Sequence, residues 1–507
     1  MISKNKNKKP LIKLKVNDTE VDLDNVANHF NRFFTSIGHE LKNNITKRNM
    51  NFRNFLDPPN IQSIFLNSAT ASEVRKIIGS IKCSKVGDDQ PKGKIFKLAS
   101  IALSGPISFI FNQIILSSVY PDSLKTACIT PIPKAEEKSN IKNYRPIICL
   151  PFLNTVFEKL LHSRFSNFLT ANNILCENQY GFRKGFSTSD AVLRLVSSIY
   201  DSFNSNEYFG AVFLDLSKAF DTVDHQILLD KLFNYGFRGP VLQLIKSYLT
   251  ERKQFVSCNN NISDTLPVTI GVPQGSVLGP LMFLIYINDM KNSLLNNDAS
   301  VVLYADDTTL YSKNNNIYDL CSCLSNNMKN IKLWLDTNFL SLNLNKTHFT
   351  IFTNKHVPND IAIKIDNQNL SYKSSTTFLG VIIDEKLKFS EHISNIKNKI
   401  SKSVGIFHKL NFLPCEILKT LYYCLIYPYL LYCILIWGSA SHSNINSLYF
   451  KQKKVVRIIN HSDYSDSSSP IFKNLNLLKL EDIFNLYCVD FIYSTLKTKS
   501  VNIFLIR

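Results

Sequence analysis

The sequence predicts an α+β fold in which strands end in acidic residues. Three observations predict it. The apolar run Ala211–Leu214 stops at Asp215, and a second run, Val301–Tyr304, leads to Asp306-Asp307. Apolar residues also recur at helical spacing, as Phe157, Leu160, Leu161 and Phe165, and as Ile393, Ile396, Ile400, Val404, Phe407 and Leu410. Strands and helices mixed in this order make an α+β centre.

Composition narrows the partners. With 507 residues and 45% hydrophobic content, a large core and more than one domain are expected. A net charge of +18, from 58 Lys+Arg against 40 Asp+Glu, favours a polyanion. Nucleic acid ranks ahead of an anionic membrane, because neutralised phosphates release counterions. The 11 cysteines are odd in number and form no C-x-x-C pair. Cys321-Ser322-Cys323 is too tight for zinc, so the cysteines read as reduced, mostly buried thiols of an intracellular protein.

Residues 1–20 read as a tail, with six lysines in the first 15 residues and no secretory apolar run. The tail suits a basic arm on nucleic acid, a nuclear-import patch or plain disorder. The next segment places Val26, Phe30, Phe33 and Phe34 at helical spacing and ends at the breaker Pro58-Pro59-Asn60. Helices follow over Ala71–Lys82, with a capping box from Thr70 and Glu73, and over Ile101–Ser117. A Lys/Pro loop is expected around Ile132-Pro133-Lys134 and Asn143-Tyr144-Arg145-Pro146, then a long helix over Phe152–Asn172.

Thr308–Tyr311 continues as β-prone residues after the second acidic run, so Asp306 and Asp307 sit at a hairpin tip. Phe378–Ile383 is a third strand. The later helix stripe leaves Lys397, Lys399, Lys402 and Lys409 on another face, to lie on a phosphate backbone or in water. Leu421–Trp437 carries no charge and approaches a membrane span in length. Pro428 and five tyrosines make it instead a buried helical hairpin bent or broken near Pro428, with no stable membrane association.

Two constellations carry chemistry. Adjacent buried carboxylates repel each other, and no Lys or Arg lies within five residues of Asp306-Asp307. A divalent metal resolves this. Oxygen-only ligands suit Mg²⁺, and two ions roughly 4 Å apart serve phosphoryl chemistry. An Asp-Asp pair alone signifies little, since Asp88-Asp89 also occurs. The second constellation is Gly271–Pro280, with three glycines and two prolines in ten residues. It makes a shaped turn that admits close backbone approach to a flat ligand, with a helix expected over Leu281–Met290.

In order, Phe213-Leu214-Asp215-Leu216-Ser217-Lys218-Ala219-Phe220-Asp221, Gly271–Pro280 and Tyr304-Ala305-Asp306-Asp307 resemble the three core palm motifs of reverse transcriptases. The wording is similar to the non-LTR, LINE-like branch, close to jockey-type mobile elements. Pro131-Ile132-Pro133-Lys134, Asn143-Tyr144-Arg145-Pro146-Ile147, Gln179-Tyr180-Gly181-Phe182-Arg183, Leu340–Thr347 and Phe378-Leu379-Gly380 support it, and the resemblance spans roughly Ser84 to Trp437.

The resemblance implies a right-hand polymerase with fingers, an antiparallel palm sheet with packed helices, and a helical thumb. It implies a basic tail and helical segment over residues 1–83, fingers and palm over 84–385 with a core of about 115–385, and a thumb with C-terminal extension over 386–507. Asp215, Leu216 (by its carbonyl), Asp306 and Asp307 would hold two Mg²⁺ ions, with Mn²⁺ as an alternative. Lys134 and Arg145 would hold the triphosphate, and Gln274 and Gly275 would contact the incoming nucleotide and template. Phe220 would exclude a 2′-hydroxyl, and Lys346 would protonate pyrophosphate. Phe378, Leu379 and Gly380 would position the primer end. Lys451, Lys453, Lys454 and Arg457 would form a nucleic-acid patch.

The implied function is RNA-directed DNA synthesis on an RNA template, with a DNA primer and dNTPs, in the nucleus with cytoplasmic RNA association. The alternative is a catalytically silent or co-opted nucleic-acid-binding copy of the element. Neither an N-terminal endonuclease nor a ribonuclease H set of carboxylates is expected, so either the target nick would come from elsewhere or the copy is truncated.

Overall fold

A computed structural model describes residues 12–16, 19–46, 50–81, 93–134, 137–295, 298–366 and 368–498. Most of the basic tail, Cys83 and Asp88-Asp89 lie outside the described residues.

The centre is a five-stranded sheet in the order Ser371–Tyr372, His348–Phe352, Tyr208–Leu214, Asp307–Asn314, Ala299–Tyr304. All neighbours are antiparallel except the first two, which run parallel. Side chains alternate between two cores, as the period-2 pleat requires. Val212, Leu214, Val301, Leu303, Leu310 and Ile351 enter one core with helices Phe152–Ala171, Leu278–Ile287 and Ile317–Thr337. Phe209, Ala211, Phe213, Val302, Tyr311 and Phe352 enter the other, shared with helices Thr188–Asn204, Ser390–Lys409 and His442–Ile459. The C-terminal helices therefore share a core with the central sheet across residue 385. Burial on both faces explains why the strands read as continuous apolar runs.

A second sheet pairs Thr126–Pro133 with Tyr144–Cys149 and with Arg252–Cys258. This corrects the expected Lys/Pro loop. Pro131 and Pro146 face each other, and Ile132 faces Arg145. The prolines are tolerated because Tyr144–Cys149 is an edge strand and, within Thr126–Pro133, only Thr126–Ile129 pairs with Arg252–Cys258, leaving Pro131 and Pro133 paired on one side.

Other expectations shift for local reasons. Part of the tail, residues 12–16, is folded: Leu14 is fully buried, and Ile12 exchanges two 2.8 Å hydrogen bonds with the Asn259 amide. Thr70 caps the helix Ala71–Ser80, but Glu73 pairs with Arg164 at 3.2 Å, so only half of the capping box forms. The helix after the glycine-rich loop runs over Leu278–Ile287 and starts earlier than expected, because Pro280 is tolerated in a first turn that needs no N–H. Phe378–Ile383 is a hairpin, Ser375–Phe378 with Val381–Asp384, since Leu379 and Gly380 take positive φ values of 45° and 85°. Leu421–Trp437 breaks twice, into Cys415–Leu425, Tyr427–Leu431 and Ile434–Trp437. Pro428 accounts for the first break and left-handed Cys433 for the second. Among the described residues, the helix long and apolar enough to cross a membrane is Ser100–Ser117. Four of the ten described cysteines are buried, fewer than the composition suggested.

Candidate active site

The acids meet because of register. The ladder between the central strands pairs Thr308 with Leu214, and the next residues on the two strands are Asp307 and Asp215. Asp307 also pairs with Tyr304, leaving Ala305-Asp306 as a two-residue turn with Ala305 at φ 56°. Three carboxylates thus collect at one end of two adjacent strands.

That turn is held from outside. Gln179 is buried, and its Oε1 accepts from Gly181 N at 2.8 Å and from Ala305 N at 3.1 Å. A Cβ on Gly181 would stand 2.4 Å from Ala305 N, so only glycine fits. Asp215 is braced from the other side. Its carbonyl accepts from Asn343 N at 2.8 Å, and Ser217 N donates to Ser341 O at 2.8 Å. These bonds flank Leu216, which faces Leu342, and neither uses the Leu216 carbonyl.

Electrostatics mark the site. Burial and the charge of Asp215 raise Asp306, while Arg145 and Lys134 pull it down. Asp307 reaches solvent, yet the surrounding protein and then Asp306 and Asp215 push it up to about 6. Lys134 is lowered by burial and by Lys218, Arg145 and Lys346. Lys218, Arg145 and Lys346 therefore stand within electrostatic range of Lys134, and Arg145 and Lys134 within range of Asp306. Lys346 Nζ lies 3.8 Å from Asp215 Oδ2. Such an arrangement suits a ligand with several negative charges bound beside cations held by carboxylates. The donor set is oxygen-only and mutually repulsive, which fits a hard divalent ion. Among the described residues no group of three or more His, Cys, Asp or Glu side chains is arranged to hold a metal ion as it stands, Asp215, Asp306 and Asp307 included.

The glycine-rich loop lies against the segment after Asp215. Val272 N donates to Phe220 O at 2.9 Å and Gly271 N to Val223 O at 2.8 Å. Gln274 Nε2 donates to Asp221 Oδ1 at 2.6 Å, and Gln274 O accepts from Ile148 N at 3.3 Å. Gly271 and Gly275 adopt φ values of 84° and 110°, which favour glycine. Burial pushes Asp221 up to about 6, against the pull of Lys218 and the Gln274 bond. The Phe220 ring stacks on Phe283 at 4.5 Å and meets the edge of Phe182 at 6.4 Å.

The structure thus brings Asp215, Asp306, Asp307, Lys346, Lys134 and Arg145 into one electrostatic neighbourhood, with Phe220, Gln274 and Gly275 on the adjoining loop pair. Phe378 is different: it is buried against Phe213 at 5.9 Å, which leaves Leu379 and Gly380 at the hairpin tip. Leu379 O accepts from Tyr432 Oη. Lys453 lies over Tyr449 and Arg457 over Tyr464, on the helix Val455 anchors in the second core. Three contributors stand in the quoted motifs but were given no role there. Lys218, at φ 50°, interacts with Asp221 and Arg145; a lysine three residues after an acid in an apolar stretch was the available signal. Gln179 and Gly181 belong to a motif the sequence does show, but their contact with the Ala305 turn is not readable from it.

The reverse transcriptase (RNA-dependent DNA polymerase) family matches over residues 132–383. The chain is 29% identical to the probable RNA-directed DNA polymerase from transposon BS of Drosophila melanogaster, over 84% of this chain and 48% of that protein. It is 27% identical, with the same coverage, to the RNA-directed DNA polymerase from mobile element jockey of that species. The chain spans about half the length of these relatives. A solved telomerase from Candida albicans, in complex with a TWJ fragment of telomeric RNA, aligns over 70% of this chain and 66% of its own. Its TM-score of 0.39 at 15% identity is too low to carry an argument.

Proposed function

We propose that this chain, which belongs to the reverse transcriptase family through residues 132–383, is an RNA-directed DNA polymerase of a non-LTR mobile element. The observation that carries the reading is the meeting of Asp215, Asp306 and Asp307 at one sheet end, opposite Lys134, Arg145, Lys218 and Lys346. The central sheet and its helices act as a palm, the sheet with Lys134 and Arg145 as fingers, and the helices after residue 385 as a thumb.

Asp215, Asp306 and Asp307, with the Leu216 carbonyl, would hold divalent ions, two in the arrangement we favour, Mg²⁺ by preference and Mn²⁺ as the alternative. Bound there, such ions supply positive charge to the reacting oxygens of a nucleotidyl transfer. Lys134, Arg145 and Lys218 bind the triphosphate of an incoming dNTP, where a guanidinium fork matches phosphate oxygens. Phe220, held by Phe283, occupies the space a 2′-hydroxyl requires. Gln274 and Gly275 line the nucleotide and template side. Lys346 donates a proton to the leaving pyrophosphate. Leu379 and Gly380 face the primer end, and the basic C-terminal helices follow the RNA–DNA duplex. A DNA primer places this work in the nucleus.

Extension of a DNA primer on an RNA template by purified protein, beside Asp306→Asn, tests the reading. Product from the wild type and at least about 10³-fold less from the variant is expected. Equal product from both, or none from either, would sink it.

A further inference from the structure

The first helix, Val26–Asn43, lies outside the matched residues, yet it packs on the turn that carries Phe220 and Asp221. The contact is Gly38, which is buried. A Cβ there would stand 2.3 Å from the Asp221 backbone oxygen and 2.9 Å from Ile270 Cγ2. Glycine inside a helix is normally unfavourable relative to alanine, so its presence here permits close approach. The same helix holds both sides of the junction. Lys42 Nζ pairs with Asp224 Oδ2 at 2.6 Å, and His39 Nε2 lies 2.8 Å from Thr269 Oγ1. Thr269 leads directly into the glycine-rich loop. A small cavity at this junction is lined by Thr35, Gly38, Asp221, Ile270, Gly271 and Gln274.

We propose that Gly38 is a specificity-determining positioning residue: it seats Asp221, and through Asp221 it fixes both the Phe220 ring and the Gln274 amide. The proposal rests on the polymerase reading above, with Phe220 as the sugar gate. The coupling is mechanical. Asp221 follows Phe220 in the chain, and its carboxylate holds Gln274 at 2.6 Å. The backbone on either side is tied to the loop by the Val272–Phe220 and Gly271–Val223 hydrogen bonds. An ordinary contact needs at least 3.4 Å, so a methyl group on residue 38 must push the Asp221 backbone back. The push is transmitted to the gate and the loop together. A helix well before the matched residues thereby sets the discrimination between deoxyribo- and ribonucleoside triphosphates.

Single-nucleotide extension by the full chain, with a dNTP and its matching rNTP, yields kcat/KM for each. In Gly38→Ala the dNTP-over-rNTP ratio is expected to fall at least about tenfold, the scale of a small displacement near reacting groups. Gly79→Ala is the control, a helical glycine whose added Cβ meets nothing within 4 Å, and it should keep the wild-type ratio. A Gly38→Ala protein that extends dNTPs with a ratio within about twofold of wild type overturns the proposal. Lys42→Ala loosens the same helix without inserting atoms. It should lower the ratio in the same direction, by about threefold, and serves if Gly38→Ala does not fold. An unmoved ratio there overturns the proposal equally. Asp306→Asn separates the two readings. If it abolishes wild-type extension while the ratios stay unmoved, only the role of Gly38 falls. If it abolishes nothing, the polymerase reading falls and this inference with it.

Discussion

Lys346 Nζ stands 3.8 Å from Asp215 Oδ2, with the lysine side chain 70% exposed and the aspartate 43% exposed. At that exposure the pair adds little to stability, about 0–1 kcal/mol. Its position beside the acids is the informative part. Lys346→Ala should lower kcat by about 10²–10⁴-fold, the range for a general acid, while melting stays nearly unchanged. Single-turnover extension kinetics check it. A drop below about threefold would leave Lys346 as a counter-charge only.

Gly181 touches the turn that presents Asp306, with 2.4 Å between its added Cβ and Ala305 N. Gly181→Ala should therefore shift the turn and lower kcat/KM by about 10²-fold. The Gln179 bonds to the same turn make Gln179→Ala a second probe, since it removes both at once. Wild-type rates in both variants would remove this pair from the positioning of Asp306.

Asp221 supplies a signed pH dependence. Its folded carboxyl sits near 6, above the ordinary 3.8. The folded protein therefore binds this proton more tightly than the unfolded chain does. The stability it contributes is full below about pH 4 and is lost as pH rises through about 6. Asp221→Asn keeps an oxygen to accept from Gln274 and abolishes the titration. It should be more stable than wild type above pH 7, by on the order of 1–3 kcal/mol, with the gap closing toward pH 4. Denaturant melts of both proteins across pH decide it, and a constant gap would exclude Asp221 as the group.

Lys231 and Asp289 form a 2.6 Å pair with both side chains fully buried. Lys231 Nζ also donates to Tyr286 O at 2.6 Å and lies over the Tyr286 and Trp334 rings. Burial lowers the lysine and raises the aspartate, so desolvation works against both charges. Removing one partner strands the other. Asp289→Ala should cost about 3–5 kcal/mol of stability, measured by chemical denaturation. A loss under about 1 kcal/mol would show that Lys231 is satisfied by Tyr286 alone.

Much of the centre was legible in the sequence. The runs ending at Asp215 and Asp306-Asp307 became adjacent strands because unbroken apolar residues suit a sheet buried on both faces. Stripes such as Ile393, Ile396 and Ile400 became buried helix faces for the same reason of periodicity. What misled was local chemistry with two outcomes. Pro131, Pro133 and Pro146 signal a loop in isolation, but they are harmless on strand stretches that pair on one side only. Pro428 signals one bend, whereas the second break, at Cys433, has no residue-type signature.

By itself, the sequence determined which side chains are candidates for the chemistry: Asp215, Asp306, Asp307, Lys134, Arg145, Phe220, Gln274 and Lys346 sit in motifs whose order and residue types are readable along the chain. Only the tertiary structure decided what holds them. Gln179 reaches Ala305 across 126 positions, and Gly38 meets Asp221 across a still longer separation. Such contacts depend on how two distant segments are brought together in space. Periodicity and propensity report a residue's relation to its chain neighbours, and they carry no information about a partner that only folding supplies.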